Sequence, residues 1–186
     1  MYTLARRSSR ILAVFFVAAA LFIAGCDSAV DDTIVLQPKT VTFDFPDFSA
    51  DDVEGGVIEL PSEAAQDLSD ELRTDGFSRE EVVSAELTEV EVRRIGPASQ
   101  AKLLPFLNEI ELSLDAPGQS LTTVGTSSEF DPTAGSTLLN PTDSDVGDFV
   151  QAESMDAELR LDVDTFEDDP PRLDARLTFV IEVEGV

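Results

Sequence analysis

The sequence predicts an all-β protein, an antiparallel β-sandwich of about seven strands with a few short helices in its loops. Three observations carry this expectation. Apolar and polar residues alternate with period two in several segments, the mark of a strand with one buried face. The polar partners in that alternation are mostly charged, so each sheet is wet on one side and must bury the other. Helical periodicity, by contrast, is confined to short stretches. A second sheet is the economical cover for the apolar faces.

In chain order, residues 40–48 set Val41, Phe43 and Phe45 against Thr40, Thr42 and Asp44. Residues 56–60 predict a short strand. The stretch "PSEAAQDLSDELRTDG", residues 61–76, then changes character. Pro61 and Ser62 open it, Leu68 and Leu72 are spaced for one helical face, and Gly76 closes it, so one amphipathic helix is expected. Its expected role is to cover an open end of the sandwich; a partner-docking face is the other reading. Ser78 and Glu81 have the spacing of a capping box and predict a single helical turn. From Val83 the β-branched residues favour a strand with Val90 and Val92 on one face. Its phase shifts near Leu87, as a β-bulge would make it do.

Residues 99–107 read as a short helix ended near Pro105. In residues 108–115, Ile110, Leu112 and Leu114 alternate with Glu109, Glu111 and Ser113. Pro117-Gly118 turns the chain, and the Thr-rich residues 121–127 pair back. Residues 128–144 read as loop, interrupted by Leu138-Leu139. Residues 145–152 predict one or two helical turns that dock Phe149 and Val150. The last two segments are the most regular. Met155, Ala157, Leu159, Leu161 and Val163 alternate with Asp156, Glu158, Arg160 and Asp162. Leu173, Ala175, Leu177, Phe179, Ile181 and Val183 alternate with Asp174, Arg176, Thr178, Glu182 and Glu184. They are expected to form a hairpin across the turn "EDDPP".

Composition removes whole classes of chemistry. The chain has 12 Lys and Arg against 38 Asp and Glu, a net charge of −26. Nucleic acid is excluded as a partner, because phosphate binding needs Lys and Arg. At 42% hydrophobic residues the chain is expected to fold under an acidic skin rather than remain disordered. Such a skin matches a salt-adapted protein, whose like charges are screened by its medium. There is no His and no Trp, and the one Tyr is Tyr2. Ser-His-Asp and Cys-His catalysis therefore lack their base. Zinc and copper lack their preferred ligands. Sugar-stacking platforms lack Trp and Tyr.

The N-terminus has its own grammar. Arg6, Arg7 and Arg10 precede an apolar run over residues 11–24, too short to span a bilayer as a helix and followed by small residues. These are the parts of a secretory signal peptide. The only cysteine, Cys26, stands directly behind it. Ile23-Ala24-Gly25-Cys26 resembles the lipobox of bacterial lipoproteins. The resemblance implies that the Cys26 sulfur receives a diacylglyceryl group and that a dedicated peptidase, recognising Ile23, Ala24 and Gly25, cuts before it. It implies further acylation of the new amino group. Two or more chains hold a protein firmly to a membrane, where one does so only marginally. Asp27 resembles an inner-membrane retention signal, and Asp31-Asp32 faintly resembles an acidic surface-export tag, so the leaflet stays open. Residues 1–25 then form the signal peptide, residues 26–39 an acidic tether with a reach of about 40 Å, and residues 40–186 the sandwich.

Two candidate sites remain. Asp143, Asp145 and Asp148 with Gly147 make an oxygen-rich loop of the kind calcium uses. It lacks the alternation and terminal Glu of an EF-hand, and helix capping by Asp145 accounts equally for one of its members. Carboxylate-pair glycoside hydrolysis is the one hydrolytic mechanism the composition leaves open, yet the acids alternate outward, away from any apolar pocket. The expectation is a non-catalytic, lipid-anchored protein of the bacterial cell envelope, facing periplasm or exterior. It would have a structural or protein-binding role, no cofactor beyond the covalent lipid, and the membrane and an envelope protein as partners. A calcium-dependent ligand- or glycan-binding module is the first alternative and a glycosidase the second.

Overall fold

The computed structural model describes residues 33–95, 107–131, 134–142, 145–163 and 172–185. Ten strands and two α-helices follow one another in this order: β1 (Thr33–Val35), β2 (Lys39–Asp44), β3 (Val57–Pro61), α1 (Ser69–Asp75), β4 (Val82–Ile95), β5 (Leu107–Asp115), β6 (Thr122–Ser127), β7 (Ser136–Leu138), β8 (Asn140–Pro141), α2 (Gly147–Gln151), β9 (Asp156–Val163) and β10 (Arg172–Glu184). They make two five-stranded sheets. In the first, β1 and β2 lie end to end along one side of β10, followed by β4 and β7. The second has the order β3-β9-β5-β6-β8. Every pairing is antiparallel. The all-β sandwich is therefore as the alternation predicts. The seven predicted strands are β2, β3, β4, β5, β6, β9 and β10. The other three, β1, β7 and β8, have three, three and two residues, too few to show a period.

The inward rows pack as one core. Val41, Phe43, Phe45, Ile110, Leu112, Leu114, Leu159, Leu161, Leu177, Phe179, Ile181 and Val183 are all buried. Burial of these side chains is the main favourable contribution to folding, at about 25 cal/mol per Å² of apolar surface. The bulge near Leu87 is present: Thr178 pairs with Glu89 and Phe179 with Leu87, which leaves Thr88 over. Its hydroxyl donates to the Thr178 carbonyl at 3.0 Å. The bulge keeps Val90 and Val92 on the same buried face as Ala85 and Leu87.

Three expectations are corrected. The helix of residues 61–76 is only α1, Ser69–Asp75. Before it the chain stays extended along β9: Ser62 N–H donates to the Ala157 carbonyl at 2.7 Å and Gln66 N–H to that of Met155 at 2.7 Å. Pairing with a sheet edge outweighs the helix signal, and Asp67 makes the new start by accepting the Ser69 N–H at 2.8 Å. The stop is as predicted, with Gly76 at φ +93°, and Leu68 and Leu72 are buried together. Second, β9 and β10 are not a hairpin. β9 pairs with β3 and β5, and β10 with β1, β2 and β4. Two amphipathic strands in succession can pair with each other or face each other across the core; here they face. "EDDPP" lies outside the described residues. Third, the last part of the presumed tether is strand: Thr33 pairs with Glu184 and Val35 with Glu182. The first sheet thus begins at residue 33 rather than 40. The expected helix over residues 99–107 falls outside the described residues, save Leu107, which begins β5.

The smaller features follow the sequence. Ser78 N–H donates to Glu81 Oε2 at 2.7 Å, one arm of the capping box. At Pro117-Gly118 the Gln119 N–H reaches the Ala116 carbonyl at 3.0 Å. Gly118 takes φ +86°, the left-handed value that the third residue of a type II turn requires. Leu139, buried, is the point where the chain leaves the first sheet after β7 and joins the second at β8. Its N–H donates to the Val90 carbonyl at 2.9 Å, and the Thr142 N–H to that of Val124 at 3.1 Å.

Candidate functional site

One end of the sandwich carries a polar cleft of about 320 Å³. It is made where the first residues of β4 meet α2 and the β5–β6 turn. A second register shift in β4, between the Ser84–Glu182 and Val82–Val183 pairs, leaves Val83 unpaired and turned outward, at 49% exposure. The segment before α2 is drawn onto the same strand, with Val146 N–H donating to the Ala85 carbonyl at 2.8 Å. Gly147 permits this approach: a Cβ there would lie 3.4 Å from Ala85 N and 3.3 Å from Asp145 Oδ1. Phe149 and Val150 dock into the core as predicted, and Gln151 Nε2 ties α2 to the Val82 carbonyl at 2.8 Å. Gln119, Ser120 and Thr122 form the facing wall.

The predicted calcium loop opens into this cleft. Asp145 and Asp148 both line it; Asp143 lies outside the described residues. Asp145 Oδ1 accepts the N–H of Gly147, the first residue of α2, at 3.1 Å; the N-cap position itself is Val146, which makes no side-chain cap. Among the described residues no three acidic, His or Cys side chains converge in a way that could hold a metal ion.

The outer face of the second sheet carries Glu59, Glu111, Glu158 and Asp162. Arg160 stands between Glu59 and Glu111 in one cross-strand row, with Arg160 Nη1 3.5 Å from Glu111 Oε2. Thr123 Oγ1 donates to Glu111 Oε1 at 2.5 Å. Glu158 stands one pair along, between Pro61 and Ser113. Partial burial pushes its carboxyl above the usual carboxylate range, and the negative charges of Glu59, Asp115 and Glu111 add to the rise. A glycosidase acid needs such a shift, but also an enclosed second carboxyl; Glu158 sits on an open sheet face instead. A raised pKa means that the folded state holds this proton more tightly than the unfolded chain does. The associated stability is present below the ordinary Glu value of about 4.3 and is lost as pH rises through the folded-state value. Glu158→Gln is therefore expected to raise the melting temperature at neutral pH, with the gain shrinking toward pH ~4. A loss of stability at neutral pH would contradict this reading of the face.

The outer face of the first sheet differs. Arg93, near the end of β4, is paired with Asp174 on β10. Arg93 Nε donates to Asp174 Oδ1 at 2.9 Å and Nη2 donates to Oδ2. The Asp174 side chain is 4% exposed and that of Arg93 35%. These hydrogen bonds push the guanidinium even further above its ordinary range. Arg94, Ile95, Gly135 and Ser136 complete a shallow cleft of about 430 Å³ beside the pair. The sequence placed Asp174 in a solvated row. Both members stand in outward rows, and only the register brings them together.

Cys26, Ile23, Ala24 and Gly25 all lie outside the described residues. Among the described residues no helix is long and apolar enough to cross a membrane. Compared with protein-family models and with curated proteins, the chain matches none.

Proposed function

We propose that this chain is a non-catalytic, lipid-anchored protein of the bacterial cell envelope whose β-sandwich serves a structural or protein-binding role. The observation that carries the reading is the order of parts at the N-terminus. Arg6, Arg7 and Arg10 are followed by the apolar run, then Ile23-Ala24-Gly25-Cys26, and a sheet strand begins at Thr33. With the first strand at residue 33, residues 27–32 are left as the link, with a fully extended reach of roughly 20 Å. The domain is therefore held on a short leash rather than a long stalk. The non-catalytic part of the reading is supported by the lack of any histidine in the sequence and by the open setting of Glu158. Calcium-dependent binding is the second reading, favoured by the presence of Asp145 and Asp148 in one cleft.

Cys26→Ser tests the anchor. The variant is expected to leave the membrane fraction or to accumulate unprocessed, with the wild-type chain membrane-bound and carrying the mass of a lipid on residue 26. A Ser variant that stays with membranes at its processed mass would overturn the proposal. Calcium titration during thermal melting decides the second reading: a rise at micromolar calcium, absent with magnesium, would favour it.

A further inference from the structure

We propose that two copies of this chain associate through the β7 edge of the first sheet, β7 pairing antiparallel with its counterpart across a two-fold axis. Sheet edges expose unpaired N–H and C=O groups, and proteins blunt them with proline, charge or brevity. Among the described residues, three of the four sheet edges carry proline. Pro61 ends β3, Pro141 lies in β8, and Pro38 separates β1 from β2. β7, Ser136–Leu138, has none and is guarded only by its shortness.

Its backbone is poised for a partner. Arg94 N–H donates to the Gly135 carbonyl at 2.9 Å and Leu139 N–H to that of Val90 at 2.9 Å. In an antiparallel ladder the bonded pairs alternate. With Val92 opposite Thr137, residues 135, 137 and 139 turn toward β4, and the N–H and C=O of Ser136 and Leu138 turn away from it. Leu138 is 61% exposed, the highest of the large apolar side chains described, and Ile95 is exposed on the neighbouring strand.

Charge selects the occupant. A chain of net charge −26 repels its own copy over most of its surface. Beside β7 the charges are mixed among the described residues: Arg93, Arg94, Arg172 and Arg176 of β4 and β10 stand with Glu89, Glu91 and Asp174 of the same strands, Asp44 of β2 and Glu63, which Arg172 Nη2 meets at 2.8 Å. A two-fold pairing sets Ser136 opposite Leu138 of the second copy, so four backbone hydrogen bonds form and the two first sheets become one. The outer row then reads Asp174, Arg93, Ser136 and, across the axis, Leu138, Glu91, Arg176, which brings opposite charges toward the junction. Such an interface is isologous and closed, so it stops at a dimer.

Only a few residues pair, so the contact is smaller than the ~1,200 Å² of stable complexes and weak, transient association is expected. Sedimentation of the full chain bearing Cys26→Ser, in about 0.5 M NaCl to screen the net charge, is expected to show monomer and dimer. Leu138→Lys should weaken association at least about tenfold at unchanged melting temperature. A second measurement does not depend on that variant. Thr137 would face its counterpart at the two-fold axis with Cα atoms ~4.5 Å apart, within disulfide reach. In the Cys26→Ser background Thr137→Cys is then the sole thiol. Mild oxidation should link it into dimers, and Val35→Cys, exposed on the opposite edge, should stay monomeric. A chain that remains monomeric up to about 1 mM, a dimer that survives Leu138→Lys, or equal crosslinking from Val35→Cys would each overturn the proposal.

Discussion

Phe179→Ala is expected to remove about 3–5 kcal/mol of folding stability, and Leu161→Ala about 2–5 kcal/mol. Both side chains are fully buried, one from each sheet. Phe179 sits at the β-bulge in the middle of β10, paired with Leu87 on one side and Lys39 on the other, so the backbone on either side resists collapse into the void. A small domain has in total only about 5–15 kcal/mol, so Phe179→Ala is expected to leave a marginal fold. The neighbours Asp162 and Glu182 stand on the outer faces, where, among the described residues, their carboxylates accept from Asn108 and Ser84. Asp162→Ala and Glu182→Ala should each cost under about 1 kcal/mol. Urea denaturation with an unchanged slope measures all four. Equal losses from inward and outward positions would contradict the register of both strands.

Breaking the Arg93–Asp174 pair is expected to be strongly asymmetric. Asp174 is buried and Arg93 is one-third exposed. Arg93→Met strands a carboxylate away from water, at a cost of roughly 3 kcal/mol, the low end for a buried pair that loses one partner. Asp174→Asn leaves a guanidinium that can still reach solvent and keeps one hydrogen bond, so about 1 kcal/mol is expected. Urea denaturation of both variants measures the asymmetry, and a larger loss from Asp174→Asn than from Arg93→Met would contradict this reading of the pair.

The strand set was legible wherever burial has a period. Leu159, Leu161 and Val163, like Phe179, Ile181 and Val183, announce their face because a strand wet on one side must alternate. What alternation does not contain is the identity of the neighbour, and so β9 and β10 read as a hairpin although they stand in opposite sheets. Residues 62–66 were misread for a related reason: Ser62 and Gln66 take their partners from β9, far along the chain, and a distant ladder leaves no local mark. The cleft by α2 was half legible. Phe149, Val150 and the Asp-rich loop were visible, whereas Val83 enters it through a bulge that only pairing with β10 creates. Arg93 and Asp174 carried no signal, since each fits a solvated outer row by itself.

The place of β10 in the first sheet bears on how the molecule is made. It lies between the β1–β2 edge and β4, and it follows all of them in the chain. A polypeptide emerging from its N-terminus exposes β1, β2 and β4 with no strand to join them until the residues up to Glu184 are out. Half of the sandwich therefore closes only after synthesis of the whole domain. The early strands wait for contacts across nearly the full length of the chain, the kind of topology that folds slowly. Were the chain exported as proposed above, closure of the sheet would follow its passage across the membrane rather than precede it.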